Sequence, residues 1–424
     1  MIASALCLGT LWPWPASSQV PSPAGETTID ELVSRAIADS PDLRGARAEI
    51  DAAVGRLRQA GLRPNPMLDL GGQKALSPDN NLTAMLSLPL DLNGRKEGRV
   101  GVAERELAMK RAQVADRERR LRGDVRMKAG DLLAAQRNLR VTENLLEANR
   151  LALALVQNRV REGAAPTLDE NLALVEVNRL QASQKLLASR VEVARLQLKA
   201  LAGMAPDAPL VLRGDLGSAP PPVESADAVT LALTGRADLQ AARADAATAR
   251  ARILKEQAEG RWDASVNVGY MRQDFGFDLL GLTPQGQTRP IQDVFHYFGA
   301  GVRIMLPVRD RNQGNIAAAR AEAEAADRRV EFTALTVRQE IDAALTQYEA
   351  TRRGLEIYEG GVRDIARRNL DVIRQSYELG RGSLLDVVAE QRRYIDVENG
   401  YTDALKQVYD AAVDVERAIG TQGR

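Results

Sequence analysis

The 424-residue chain carries 57 basic and 57 acidic side chains, one Cys and one His. That inventory falls short of the four Cys/His ligands of a structural zinc site. Cys7 lies in an apolar leader and His296 in an aromatic segment, so a Cys–His nucleophile is excluded too. The charges interleave and leave no basic face for nucleic acid. With no phosphate loop or nucleophile motif either, the sequence predicts no enzyme, cofactor or metal site.

Residues 1–18 read as a signal peptide. Met1 to Trp12 is apolar, and Ala16-Ser17-Ser18 offers small residues for cleavage, although a basic start is missing. Leu6 stands before Cys7 where a lipobox needs a small residue, so export without lipidation is expected. Beyond the leader no apolar run reaches about 18 residues, so any membrane crossing falls to β-strands.

The first repeat spans 19–204. Two helices are followed by strands at about 66–74 and 82–90, turning through Ser77-Pro78-Asp79-Asn80. Leu82, Ala84, Leu86, Leu88 and Leu90 alternate with Thr83, Met85, Ser87 and Pro89, which puts one apolar and one polar or small face on the strand. A long helical hairpin fills about 94–203. Its first arm has no Pro from Gly94 to Arg161, and Val125, Leu132, Leu139, Leu146, Leu153 and Val160 recur every seven residues.

Pro-rich residues 205–223 read as a linker. The second repeat, 224–424, follows the same plan, with strands at about 263–271 and 298–308 joined by a long loop from Arg272 to Tyr297. Its hairpin covers about 311–420, with a stripe through Val330, Val337, Ala344, Thr351, Tyr358, Ile365, Val372 and Leu379. Gly163, Asp169 and Gly203 recur as Gly380, Asp386 and Gly420, each displaced by 217 residues. Fold class is therefore mainly α, internally duplicated, with long antiparallel helical hairpins and a small β part. The alternation alone also fits a soluble sandwich. Hairpins this long lack a core of their own, and four strands leave open edges, so the chain is expected to oligomerise.

Tyr377-Glu-Leu-Gly380-Arg381-Gly-Ser383-Leu-Leu-Asp386, its counterpart Gly163…Thr167-Leu168-Asp169, and Leu88-Pro-Leu-Asp-Leu-Asn-Gly-Arg-Lys96 resemble the TolC-like outer-membrane efflux proteins. The similarity runs from about Thr28 to Gly420, and Arg63-Pro-Asn-Pro66 is similar to the heavy-metal (cobalt–zinc–cadmium) branch. The resemblance implies a homotrimer whose strands form one twelve-stranded barrel in outer-membrane lipid and whose helices form an α-barrel through the periplasm. It implies a passive exit duct for heavy-metal cations or small toxic compounds, joined by a periplasmic adaptor to an inner-membrane pump.

The resemblance also singles out Asp386, Asp169 and Tyr377 as periplasmic gate residues. The turn residues Gly163, Thr167, Gly380, Arg381 and Ser383 are singled out as the adaptor contact. Ser383-Leu-Leu-Asp386 and Thr167-Leu-Asp-Glu170 equally read as helix starts, where acidic residues favour the backbone dipole. Ala389 stands where some relatives carry a second acidic residue. The rival class is a coiled-coil scaffold without channel activity, which would leave the leader and the alternating strands unexplained.

Overall fold

A computed structural model describes residues 26–76, 79–218 and 225–420; the leader at 1–18, residues 219–223 of the linker, and Ser77 and Pro78 lie outside them. The elements in chain order begin with β1 (Glu26–Thr28), α1 (Ile29–Asp39), α2 (Pro41–Ala60), β2 (Met67–Lys74), β3 (Asn80–Leu90), α3 (Arg95–Arg161) and α4 (Thr167–Leu201). The second half supplies β4 (Val211–Arg213), α5 (Ser225–Gly235), α6 (Ala237–Glu259), β5 (Asp263–Leu282), β6 (Thr288–Met305), α7 (Gln313–Ile357), α8 (Arg363–Glu378) and α9 (Leu384–Ile419). Among the described residues no helix is long and apolar enough to cross a membrane.

Two compact units emerge, and neither coincides with a sequence repeat. One comprises the described residues of Met1–Ala36, Val125–Ser218 and Gly361–Lys406; the other those of Ile37–Asp124, Ala219–Gly360 and Gln407–Arg424.

The second unit holds an antiparallel sheet in the order β2-β3-β5-β6. Register lines up whole rows of like character. Leu70, Ala84, Tyr270 and Phe298 sit side by side, as do Leu68, Leu86, Val268 and Ala300. Tyr270 and Phe298 pack with ring centroids 5.2 Å apart. One residue along, the other face reads Asp69, Met85, Gly269 and Gly299, then Met67, Ser87, Asn267 and Gly301. Every residue of β2 and β6 is exposed in the single chain, and the outer edge of each has no strand partner among the described residues. A sheet apolar on one face, polar on the other and open at both edges is an arc of a barrel rather than a finished domain.

β5 and β6 are much longer than 263–271 and 298–308. The expected loop from Arg272 to Tyr297 is instead mostly ladder, with Arg272 opposite His296 and Asp274 opposite Val294, ending at a turn closed by Gly286 N–H to Thr283 O (2.8 Å). Arg272, Asp274 and Asp293 interrupt the apolar alternation there, and a register shift between Phe277 and Leu280 breaks its phase. Where water wets both faces a strand has no hydrophobic period to display. At the other end β6 stops at Met305, three residues short of expectation, because Pro307 cannot donate to a ladder.

At the base of this sheet Asn93 and Asn312 adopt left-handed backbone (φ 62° and 60°), a conformation Asn tolerates through local side-chain bonding. Asn93 Nδ2 donates to Trp262 O at 2.7 Å, and Asn312 Nδ2 to Glu256 O at 2.9 Å. Arg95, the first residue of α3, donates to Glu259 O and Arg261 O and pairs with Asp263 at 3.1 Å. The Asn-Gly-Arg signature thus fastens strand to helix. Helices α6 and α7 meet through Ala246, Ala249, Ala323 and Ala326, whose small side chains permit close packing. Ala228 and Ala232 of α5 seat against Val337, Ile341 and Val415.

In the first unit β1 and β4 form a two-stranded parallel ladder, pairing Thr27 with Leu212. The stretch read as a linker at 205–223 therefore contains a strand, with Leu210, Leu212 and Leu216 buried. Three-residue strands are too short to show a period, which is why composition alone marked this segment. The helices of this unit bury Leu145, Leu146, Val177 and Leu180 in one cluster and Ala173, Leu384 and Val387 in another, with Tyr377 and Ile373 packed on the latter.

The second seven-residue stripe does not run unbroken. Val337 and Thr351 are buried as expected, but Ile365, Val372 and Leu379 are exposed. Buried instead are Ala366 and Leu370, with Ile373 and Tyr377 half-buried. The cause is a kink at Tyr358–Val362, where Gly361 leaves helical backbone altogether (φ 132°). A non-helical residue breaks the helical phase, so the heptad register of α7 does not carry into α8. Immediately after it, Arg363 Nε donates to the buried Glu398 carboxylate at 2.6 Å, and Arg137 approaches the same carboxylate at 3.6 Å. Both guanidinium groups lie 5.0 Å from the centre of the Tyr401 ring.

Candidate functional site: the helical tips

Each hairpin reverses through a glycine in left-handed backbone, Gly163 at φ 73° and Gly380 at φ 70°. The bonding around them is the same in both halves. Ala164 N–H reaches Arg159 O (2.7 Å) and Gly163 N–H reaches Val160 O (3.0 Å); Arg381 N–H reaches Ser376 O (2.8 Å) and Gly380 N–H reaches Tyr377 O (2.9 Å). These are Schellman closures, in which a residue without Cβ accepts the positive φ at no steric cost. Every donor and acceptor is displaced by 217 residues, so the repeat seen in sequence extends to individual hydrogen bonds.

The halves then diverge. Helix α9 opens with a capping box: Asp386 N–H donates to Ser383 Oγ (3.2 Å), while Ser383 N–H (3.3 Å) and Oγ–H (2.7 Å) both donate to Asp386 Oδ2. The Ser383 hydroxyl, then its backbone N–H, holds the Asp386 carboxyl below the usual carboxylate range although the side chain is exposed. Pro166 occupies the corresponding place before α4, where no side chain caps the helix. Asp169 is therefore left to another partner, and the Tyr377 hydroxyl donates to its Oδ2 at 3.3 Å. The Arg159 guanidinium lies 5.9 Å from the Tyr377 ring centre. Burial, then the Asp169 charge and the hydrogen bond to it, pushes the Tyr377 phenol up, and Arg159 opposes the shift.

The geometry thus joins Tyr377 to Asp169 and keeps Asp386 apart from both, on its own helix start. Gly163, Gly380, Arg381 and Ser383 are exposed at the turns, and Thr167 is the exposed first residue of α4. Two features escaped sequence reading. Arg159 was missed because nothing local distinguishes it from the many helical arginines. Leu168 and Leu385, 64% and 60% exposed, are the other. They too are related by 217 residues, and that offset is the signal that would have found them. Each leucine stands exposed beside its reversed turn.

Among the described residues no group of His, Cys, Asp and Glu is arranged to hold a metal ion. The arrangement offers helical tips, exposed carboxylates and a barrel arc, which are the parts of a conduit. The family model for outer membrane efflux proteins matches residues 32–204 and 228–421, and the chain belongs to that family of non-enzymatic channels. It is an outer-membrane efflux channel protein, with its helical part in the periplasm.

Among particular relatives, the cobalt-zinc-cadmium resistance protein CzcC of Cupriavidus metallidurans is 24% identical over 401 residues, covering 94% of this chain and 91% of CzcC. The crystal structure of CusC superposes with a TM-score of 0.73 at 16% identity, covering 96% of each chain. The open-state MtrE outer membrane channel of Neisseria gonorrhoeae gives 0.72 at 17% identity, over 92% of this chain and 88% of that one.

Proposed function

We propose that three copies form a passive exit duct, each supplying four strands to a twelve-stranded barrel and two hairpins to an α-barrel across the periplasm. The single observation that carries this reading is the β2-β3-β5-β6 sheet, apolar on one face, polar on the other and, among the described residues, unpaired at both edges. Channels of this family are trimers in tripartite efflux systems. Closure by three arcs removes every edge and gives an even strand count.

The tips take two roles. Gly163, Thr167, Gly380, Arg381 and Ser383 contact a periplasmic adaptor that links the duct to an inner-membrane pump. Asp386, Asp169 and Tyr377 form the gate, repeated around the axis so that carboxylates gather cations at the constriction. The cargo is a heavy-metal cation or a small toxic compound; the likeness to CzcC favours the former. With no cluster of metal-holding residues among those described, cargo selection falls to the pump and adaptor.

The test is native mass spectrometry of the protein extracted from outer membranes, with single-channel recording in planar bilayers. A trimer that conducts is expected, and Asp386→Ala should raise its conductance. Ser383→Cys should cross-link to the adaptor. A monomeric, soluble, non-conducting protein would establish the scaffold reading instead.

A further inference from the structure

Behind the Tyr377–Asp169 link the first unit contains a cavity of about 340 Å³ between α3, α8 and α9. Leu155, Val156 and Val387 make its wall apolar, and Tyr377 and Arg159 close it toward the tip. Gln391 lines it two helical turns along α9, seven residues from Leu384. Gln391 is 4% exposed, yet its Oε1 has no hydrogen-bond partner among the described residues. A buried amide oxygen left without a donor carries its full desolvation cost, so the site favours an occupant that brings one. Arg159, Arg374 and Glu378 also line it, but on its half-buried or exposed side; the buried wall of Val156, Ala173, Val387 and Val388 favours an uncharged body. The volume lies within the range of small-molecule sites.

We infer that this cavity binds a neutral, largely apolar small molecule whose O–H or N–H donates to Gln391 Oε1 while its apolar body lies on Leu155, Val156 and Val387. Nothing in this assignment requires the tip to be a gate, and binding is read independently of conductance. If the gate reading also holds, an occupant touching the Tyr377 ring is placed to bias it.

The probes are 1-naphthol and naphthalene, which differ only by the hydroxyl, equilibrated with the purified full-length protein in lipid nanodiscs. Comparison with Ala152→Trp, a substitution at the cavity's exposed rim that fills its mouth, subtracts partition into lipid. Wild-type protein should show saturable 1-naphthol binding that Ala152→Trp abolishes. Gln391→Leu should weaken 1-naphthol about five- to tenfold and leave naphthalene unchanged, the difference expected of one buried hydrogen bond. Thermal unfolding of each variant checks that it folds. Equal uptake by wild type and Ala152→Trp would overturn the site, as when water or a neighbouring copy's helix fills the space. Equal loss of both probes in Gln391→Leu would overturn the donor requirement.

Discussion

Tyr377 and Asp169 lie 208 positions apart, and their 3.3 Å hydrogen bond joins the second half of the chain to the first. No reciprocal bond exists, because Val160 stands where Tyr377's repeat partner would be and Ser383 already engages Asp386. One hydrogen bond of this kind contributes about 1 kcal/mol, which, on the proposed gate role, is roughly a fivefold bias between closed and open tips. Tyr377→Phe should therefore raise the open fraction of single channels about fivefold, and Asp169→Ala should do the same. The double variant should add nothing further, since both changes break one contact. Additive effects would place the two residues in separate roles.

The Ser383–Asp386 box predicts a pH dependence of defined sign. The folded-state carboxyl is held low, so its contribution is present above the unfolded value and disappears as pH falls through the folded value. Protection from hydrogen exchange in the first turn of α9, taken relative to the intrinsic rate at each pH, should fall in acid in the wild type. Ser383→Ala should move that transition to higher pH, and Asp386→Asn should remove it.

The kink between α7 and α8 rests on one residue. Gly361 at φ 132° occupies backbone that side chains rarely adopt, so Gly361→Ala should cost about 1–3 kcal/mol and lower the midpoint of thermal unfolding. The neighbouring Gly360 has open space around a built Cβ and no positive φ, so Gly360→Ala should leave the midpoint unchanged or slightly raised. Equal effects at the two positions would count against a requirement specific to Gly361.

Glu398 is the buried anion shared by Arg363 and Arg137. Both arginines are partly exposed and recover some hydration when it is removed, so Glu398→Ala should cost about 1–3 kcal/mol rather than the larger penalty of a fully buried pair. Denaturant titration with the double-variant cycle Glu398→Ala, Arg363→Ala separates the pair from the packing of the Tyr401 ring.

The two faces of the sheet predict opposite outcomes one residue apart. Phe298→Arg places a charge on the apolar face, costing about 2–4 kcal/mol at mid-membrane, and should reduce the oligomer recovered from outer membranes. Gly299→Arg falls on the polar face, where a built Cβ meets nothing within 4 Å, and should insert normally while altering conductance.

Periodicity made the alternating strands and helical hairpins legible, and residue identity marked the turn glycines. Each departure arose where a single residue carries a geometric consequence that has no period. Gly361 breaks the helical phase, so Ala366 and Leu370 are buried where the heptads point to Ile365 and Val372. Arg272 and Asp274 hide the ladder beyond the apolar band. At the tip, Asp386's position at a helix start was readable from Ser383-Leu-Leu-Asp386, but Asp169's partner was not. Its contact with Tyr377 depends on how α4 and α8 pack, and no local spacing encodes that.

The substitution of Pro166 for Ser383's place bears on whatever docks at these tips. In any ring built from this chain, uncapped and capped hairpins must alternate, so a ring of three presents six tips of two chemical kinds. A partner with one type of binding element can then engage at most every second tip equally well. The two kinds of tip thus differ by a proline at one hairpin and a serine at the other.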